Sequence, residues 1–65
     1  MNQFTERHKQ IAALLMHGMS NKEIGRQLGI AAGTVKVHLA EMYARMEVSS
    51  RGKLVGKLIT SKEPG

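Results

Sequence analysis

The apolar residues of this chain recur at helical spacing in successive stretches, with polar residues between them. The longest stretch has its apolar side at Val35, Leu39, Met42 and Met46. This spacing of i, i+4, i+7 and i+11 predicts an amphipathic helix with one buried side. Shorter stretches repeat the pattern at Ile11, Leu14 and Leu15, at Ile24 and Leu28, and at Leu54, Val55 and Leu58. The pattern predicts an all-α fold with helices at about residues 6–17, 21–28, 32–46 and 50–60.

Capping signals mark where these helices begin and end. Thr5 is the expected N-cap of the first helix, and Gly18 follows its end, where a left-handed residue is favoured. Ser20 and Glu23 have the spacing of a capping box at the start of the second helix, and Gly29 ends that helix after about two turns. A two-turn helix, a tight glycine turn and a longer helix together form the helix-turn-helix pattern.

The third helix has a second side that carries small residues and one lysine. These residues, called the groove face below, are Gly33, Lys36, Val37, Ala40 and Ala44. A slim cationic helix suits the major groove of DNA, where lysine meets guanine acceptors and valine or alanine meets thymine methyl groups. The alternative interpretation is a solvated helix side. The helix-turn-helix context favours the groove.

Composition narrows the class of protein. The 65 residues suffice for a single domain, residues 1–65, and 42% hydrophobic residues with only 3% aromatic residues suit a few packed helices. A net charge of +5 favours nucleic acid or another acidic partner. The chain has no cysteine, no apolar run of about 18 residues and no signal-peptide pattern. We therefore expect a soluble cytoplasmic protein without disulfides and without a membrane as partner.

Several segments, in order along the chain, resemble the DNA-binding domain of the LuxR/GerE and NarL/FixJ transcription regulators. They are Phe-Thr-Glu-Arg at 4–7, Met-Ser-Asn-Lys-Glu-Ile at 19–24, Leu-Gly-Ile at 28–30, Gly-Thr-Val-Lys-Val-His-Leu at 33–39 and Val-Ser-Ser-Arg at 48–51. The resemblance implies a four-helix LuxR-type helix-turn-helix domain whose third helix reads the major groove. It also implies double-stranded DNA as a partner, RNA polymerase as a further partner, and dimerisation through the fourth helix. Such a domain is either a stand-alone regulator or the output domain of a longer one.

Carried over position by position, the resemblance places DNA contacts on the second and third helices and their flanks. The base-reading positions are Lys36, Val37 and Ala40. The backbone-contacting positions are Ser20, Asn21, Lys22, Thr34, His38 and Arg51. Other roles stay open for three of these: a first-turn hydrogen bond for Thr34, packing against the first helix for His38, and a tie between the fourth helix and the rest of the fold for Arg51.

The fourth predicted helix contains glycines, which destabilise helix interiors. Gly52 and Gly56 are four residues apart and share one side of the helix. Together with Val55 and Ile59 they are called the glycine face below. We hypothesise that two subunits contact each other through this face. The alternative is a poor, partly frayed helix.

Three residues depart from the pattern that the resemblance implies. Ala31 stands at the N-cap of the third helix in place of serine, so a cap that contributes about 1 kcal/mol is absent. Glu47 replaces the glycine after that helix, so either Glu47 is left-handed or the turn differs. His8 replaces an acidic residue of the first helix and thereby removes a partner for a basic group such as Arg51.

The sequence offers no catalytic arrangement. A nucleophile–base pair, a carboxylate pair and a phosphate-binding glycine loop are all missing at workable spacing, so we predict no enzyme activity and no cofactor. His8, His17 and His38 lack the spacing of metal ligands, and no metal site is predicted from them. Two rival functions remain. One is a sigma-factor-like promoter-binding domain, and the other is a protein-interaction decoy that pairs with a full-length regulator.

Overall fold

The computed structural model describes residues 4–61, and over that range it is built from four α-helices. α1 is Glu6–Met16, α2 is Asn21–Leu28, α3 is Ala32–Met46 and α4 is Arg51–Ser61. The predicted all-α class is confirmed, and each predicted boundary lies within one residue of the observed one. Residues 1–3 and 62–65 of the predicted domain lie outside the described residues. None of the described helices combines the length and the hydropathy that crossing a membrane requires.

One hydrophobic core joins the four helices, because each turns its apolar side inward. α3 contributes Val35, Leu39 and Met42, and none of these side chains is more than 3% exposed. Around them lie Ile11, Ala12 and Leu15 of α1, Ile24 of α2, and Leu54 and Leu58 of α4. The remaining predicted inward residues are partly buried at the edge of this core, namely Leu14, Leu28, Met46 and Val55. α3 is therefore anchored by residues from all three other helices.

The turn between α2 and α3 depends on two glycines. Gly29 ends α2 in the left-handed conformation, with φ at 71°, as predicted. Gly25 is buried inside α2, and its carbonyl oxygen accepts from the N–H of Ile30 at 2.9 Å. A Cβ at position 25 would lie 2.5 Å from the carbonyl oxygen of Ile30, so the turn closes directly over this residue. The sequence pattern did not indicate this close approach, which helps to set how α3 leaves α2.

The start of α2 is fixed by its own capping box and by α4. Ser20 Oγ accepts from the N–H of Glu23 at 3.2 Å, and the Glu23 carboxylate accepts from the N–H of Ser20 at 2.8 Å, as predicted. The Arg51 guanidinium donates to the carbonyl oxygen of Met19. It also donates to Asn21 Oδ1 at 3.0 Å. The first residue of α4 thus holds the first residue of α2 in place.

Both ends of α3 show the predicted departures. Ala31 at the N-cap makes no side-chain hydrogen bond, so the cap is absent. Glu47 adopts the left-handed conformation with φ at 57°, which is the first of the two predicted options. The Lys57 ammonium of α4 donates to the carbonyl oxygen of Met46 at 3.0 Å. A neighbouring helix therefore adds a cation at this helix C-terminus, besides Arg45 in the last turn of α3 itself.

His8 has a role in the fold that the sequence did not indicate. It is buried, and its N–H donates to Thr5 Oγ1 at 3.1 Å while the N–H of Thr5 donates to His8 Nδ1 at 3.2 Å, so histidine completes the capping box of α1. Because Nδ1 accepts, the ring proton is on Nε2, which donates to Glu41 Oε1 at 2.8 Å. His8 therefore links α1 to α3, and Arg51 finds its partners at the start of α2 instead.

Candidate nucleic-acid interface

The groove face of α3 is exposed along its length. Val37 is 57% exposed, whereas Val35, two positions earlier, is completely buried. A Cβ added at Gly33 would meet no atom within 4 Å, so no described part of the chain lies over that end of the face. The groove face is a narrow ridge with one cation, Lys36, and its opposite side is anchored in the core.

The start of α2 carries the second group of predicted contact residues. Ser20 and Lys22 are exposed, and Asn21 is half-buried. Ser20 Oγ accepts a hydrogen bond within the capping box, which leaves its O–H to donate outward. Asn21 Oδ1 accepts from α4, which leaves its amide N–H groups as donors. The Glu23 carboxylate adds negative charge at this helix end, and Lys22 supplies the balancing cation.

Three predicted contact residues had alternative roles, and the structure bears on each of them. Thr34 is exposed in the first turn of α3, and its N–H donates to the carbonyl oxygen of Ala31 at 3.0 Å. The His38 ring packs edge-on against His8 of α1, with ring centroids 5.6 Å apart. Arg51 makes the tie between α4 and α2 described above. The packing role of His38 and the structural role of Arg51 are therefore observed, and DNA contacts by all three stay predictions.

α1 and α3 bring together a group of side chains that the sequence did not indicate. It consists of His8, His38 and Glu41, and is called the His–Glu cluster below. Glu41 Oε1 lies 2.8 Å from His8 Nε2 and 3.6 Å from His38 Nδ1. The hydrogen bond from His8 lowers the pKa of Glu41; desolvation opposes this effect, and His38 adds to it. The cluster bridges a separation of 33 residues, so only tertiary packing reveals it.

The glycine face of α4 is open in the single chain. Gly52 and Gly56 are exposed, and a Cβ added at either would meet no atom within 4 Å among the described residues. Ile59 is 51% exposed, and Val55 is partly buried. The helix continues through both glycines, so the face is a smooth helical surface. Pairing of two chains through it stays a prediction.

Comparison with known proteins identifies the kind of domain that carries these surfaces. The description of the matching family is "Bacterial regulatory proteins, luxR family", and the match covers residues 2–58 of the chain. The chain belongs to the luxR family. The resemblance and the fold class predicted from the sequence are thereby confirmed.

Individual relatives of this luxR-family domain are longer proteins. The domain is 42% identical over 53 residues to the monoamine regulon transcriptional regulator of Klebsiella aerogenes, which is 82% of this chain and 23% of that protein. It is 43% identical over 51 residues to the nitrate/nitrite response regulator NarL of Escherichia coli K12, covering 78% of this chain and 24% of NarL. It is 40% identical over 47 residues to the regulatory protein LiaR of Bacillus subtilis, covering 72% of this chain and 22% of LiaR.

The luxR-family domain spans about a quarter of the length of these relatives. Its family and its relatives are transcription regulators. The chain is therefore a DNA-binding domain for transcription regulation and not an enzyme.

Proposed function

We propose that this luxR-family domain recognises a specific double-stranded DNA sequence by inserting α3 into the major groove. It acts in the cytoplasm, as a stand-alone regulator or as the output domain of a longer one. The observation that carries the proposal is the groove face, a ridge with exposed Lys36 and Val37 on a helix whose other side is buried. The major groove is about 12 Å wide and admits one α-helix.

The groove face supplies the base contacts. Lys36 donates to the N7 or O6 acceptors of guanine, and Val37 contacts a thymine methyl group. Ala40 is exposed one turn further along the helix and adds a second small apolar contact. Since the other residues of the face are glycine and alanine, the helix backbone approaches the base edges closely. The half-site accordingly contains a guanine and at least one thymine.

The phosphate contacts come from α2, α3 and the first residue of α4. The proposed residues are Ser20, Asn21, Lys22, Thr34, His38 and Arg51. Ser20 and Asn21 each keep a side-chain donor after their bonds within the fold, and a helix N-terminus attracts anions. Arg51 has further N–H donors besides those it gives to the start of α2. These contacts fix the orientation of the domain and carry no sequence information.

Two copies bind one DNA site as a dimer through the glycine face. The open surface around Gly52 and Gly56 supports this arrangement, since small residues let two helices approach closely. A symmetric pair of reading helices contacts half-sites about one helical turn apart. The same open face also suits the decoy function, in which the partner is a full-length regulator. The sigma-factor-like alternative has less support, because the luxR-family match extends into α4.

Selection of bound duplexes from a random pool, followed by affinity measurements over a salt series, tests the proposal. We expect an enriched two-fold symmetric site, and a plot of log K against log salt that falls by about 0.9 for each phosphate neutralised. A decoy would enrich no site and would show little salt dependence. Recovery of unenriched sequences at every salt concentration would contradict sequence-specific binding.

A further inference from the structure

The His–Glu cluster places three metal-ligating side chains around one point. The donor atoms are His8 Nε2, His38 Nδ1 and a carboxylate oxygen of Glu41, and all lie within 4.8 Å of one another. His8 comes from α1, whereas His38 and Glu41 come from successive turns of α3. The cluster lies outside the groove face and does not include the base-contacting residues Lys36 and Val37, and His38 is its one member that is also a proposed phosphate contact.

His38 supplies a second observation at the same point. Its Nδ1 atom is buried and has no hydrogen-bond partner among the residues that the structure describes, although the Glu41 carboxylate is only 3.6 Å away. Buried polar atoms are almost always hydrogen-bonded, so an unpartnered one needs an explanation. A cation between the ring nitrogen and the carboxylate would satisfy it.

We propose that the His–Glu cluster binds a divalent transition-metal ion of the Zn²⁺ class. Two imidazole nitrogens and one carboxylate oxygen suit Zn²⁺, Co²⁺, Ni²⁺ or Cu²⁺, whereas Mg²⁺ and Ca²⁺ prefer all-oxygen sites. The Glu41 side chain is 49% exposed, so water fills the remaining coordination position from the solvent side.

The ligands need only small movements to close around the ion. Metal–nitrogen bonds of about 2.0–2.1 Å bring ligand atoms of a tetrahedral site to within about 3.3 Å of one another. When the ion binds, the largest distance between two ligand atoms of the cluster therefore decreases by more than 1 Å. The half-exposed Glu41 side chain and the His38 ring rotate to bring this about. His8 is held by packing, with Phe4 and His38 edge-on to its ring at 5.5 and 5.6 Å.

Metal binding at His8 requires a change of tautomer. The Nε2 proton that now bonds Glu41 leaves to solvent, and Nδ1 takes up a proton, so the ring stays neutral while Nε2 binds the ion. The protonated Nδ1 no longer accepts from the N–H of Thr5, and that half of the capping box opens. The other half, from the N–H of His8 to Thr5 Oγ1, is unaffected. The Thr5 amide therefore reports metal binding.

The site exists only in the folded chain, because His8 comes from α1 and lies 33 residues before Glu41 of α3 in the sequence. An ion that binds the folded state alone lowers the unfolding equilibrium constant about a hundredfold when its concentration is a hundred times its Kd. The bound ion also joins α1 to α3, the helix that carries the groove face.

Calorimetric titration of the untagged chain with zinc chloride tests the proposal. We expect one ion per chain, with affinity reduced about tenfold or more in Glu41→Gln and in His38→Phe. Glu41→Gln keeps an oxygen that accepts from His8, and His38→Phe keeps an aromatic ring against it, so both variants preserve the packing. His17→Gln is the matched control, since His17 is exposed and outside the cluster. Its zinc affinity should equal that of the parent chain.

Nuclear magnetic resonance of the imidazole nitrogens and of the Thr5 amide gives the second readout. Zinc should shift His8 Nε2, His38 Nδ1 and the Thr5 N–H together, in one-to-one proportion with the bound ion. The proposal is overturned if zinc does not bind, if the cluster variants bind it as well as the parent, if His17→Gln abolishes binding, or if these resonances do not move.

Discussion

Lys36 and Glu41 both belong to α3, but they have different contacts in the fold. Lys36 is exposed on the groove face. Glu41 is also exposed, yet its carboxylate accepts a hydrogen bond from buried His8 of α1. The helical period alone assigns Lys36 to the groove face, because its small neighbours lie on the same helix. The period cannot reveal the partner of Glu41, which lies 33 positions away.

Replacing Lys36 with alanine should weaken specific binding by about 1–3 kcal/mol and relax the preference at one base pair. The reason is the loss of a donor to guanine. Fluorescence anisotropy on the selected duplex and on a scrambled duplex measures both effects. Lys22→Ala is the contrasting variant, since loss of a phosphate contact should weaken both duplexes alike. Equal losses on the two duplexes for Lys36→Ala would remove this residue as a base reader.

Glu41 should make stability fall at acid pH. Its pKa is lowered below the ordinary value of 4.5, chiefly by the hydrogen bond from His8. A depressed pKa stabilises the fold above the unfolded-state pKa, and this stabilisation is lost as pH falls through the folded-state pKa. Thermal unfolding of the parent chain and of Glu41→Gln should therefore differ most above about pH 5, and the two should converge as the carboxylate protonates. A difference in Tm that stays constant down to acid pH would contradict the assignment.

At the scale of elements, α3 is long and well anchored but begins without a cap. Its N-cap is Ala31, which makes no side-chain hydrogen bond, and its C-terminus is capped by Lys57 of α4. The missing cap was predictable because it depends on a single residue at a known position. The cap that Lys57 of α4 supplies was not predictable, since it depends on how α3 and α4 pack against each other.

Ala31→Ser should stabilise the domain by about 0.5–2 kcal/mol, because a serine oxygen at the N-cap accepts from a backbone N–H of the first turn. For a domain of this size, 1 kcal/mol corresponds to an increase in Tm of about 4–8 °C. Ala32→Ser, one position inside the helix, is the control and should give no such gain. An unchanged or lower Tm for Ala31→Ser would refute the prediction.

Gly25→Leu should destabilise the domain by several kcal/mol, since overpacked cores lose about 1–3 kcal/mol and the obstacle here is backbone. A Cβ at position 25 already lies 2.5 Å from the carbonyl oxygen of Ile30, so the turn into α3 must open. Gly33→Leu is the matched control, because a Cβ there meets no atom of the described residues within 4 Å and Gly33 lies outside the glycine face. Chemical denaturation of both variants measures the difference. Similar stabilities would show that the turn accommodates the side chain.

At the scale of the whole molecule, the domain presents two open surfaces, the groove face of α3 and the glycine face of α4. Both helices contribute buried residues to one core, and this shared packing sets the position of one surface relative to the other. A dimer contact on α4 would therefore set the spacing of two groove faces on DNA.

Gly56→Leu should weaken the dimer, because a leucine prevents close approach of two helices through the glycine face. Sedimentation velocity of the chain bound to a two-site duplex measures the effect. Ala13→Leu places the same side chain at an exposed position of α1 and serves as control. A dimer that tolerates leucine at position 56 as well as at position 13 would rule out this contact.

The sequence by itself determined the four helices, their ends and the face of α3 that points outward. These properties depend on residues within one or two turns of each other, such as Ser20 with Glu23 or Val35 with Leu39, and helical periodicity and capping act over that range. The luxR-family resemblance followed from the same local segments.

Only the tertiary structure decided which distant side chains meet. Examples are the Arg51 tie to α2 and the meeting of His8 with Glu41 and His38. Such contacts depend on the angles at which helices pack, and those angles follow from the shape of the whole core and not from any local pattern. For the same reason His8, whose spacing from the other histidines in the sequence is not that of metal ligands, lies beside two potential metal ligands in the fold, His38 and Glu41.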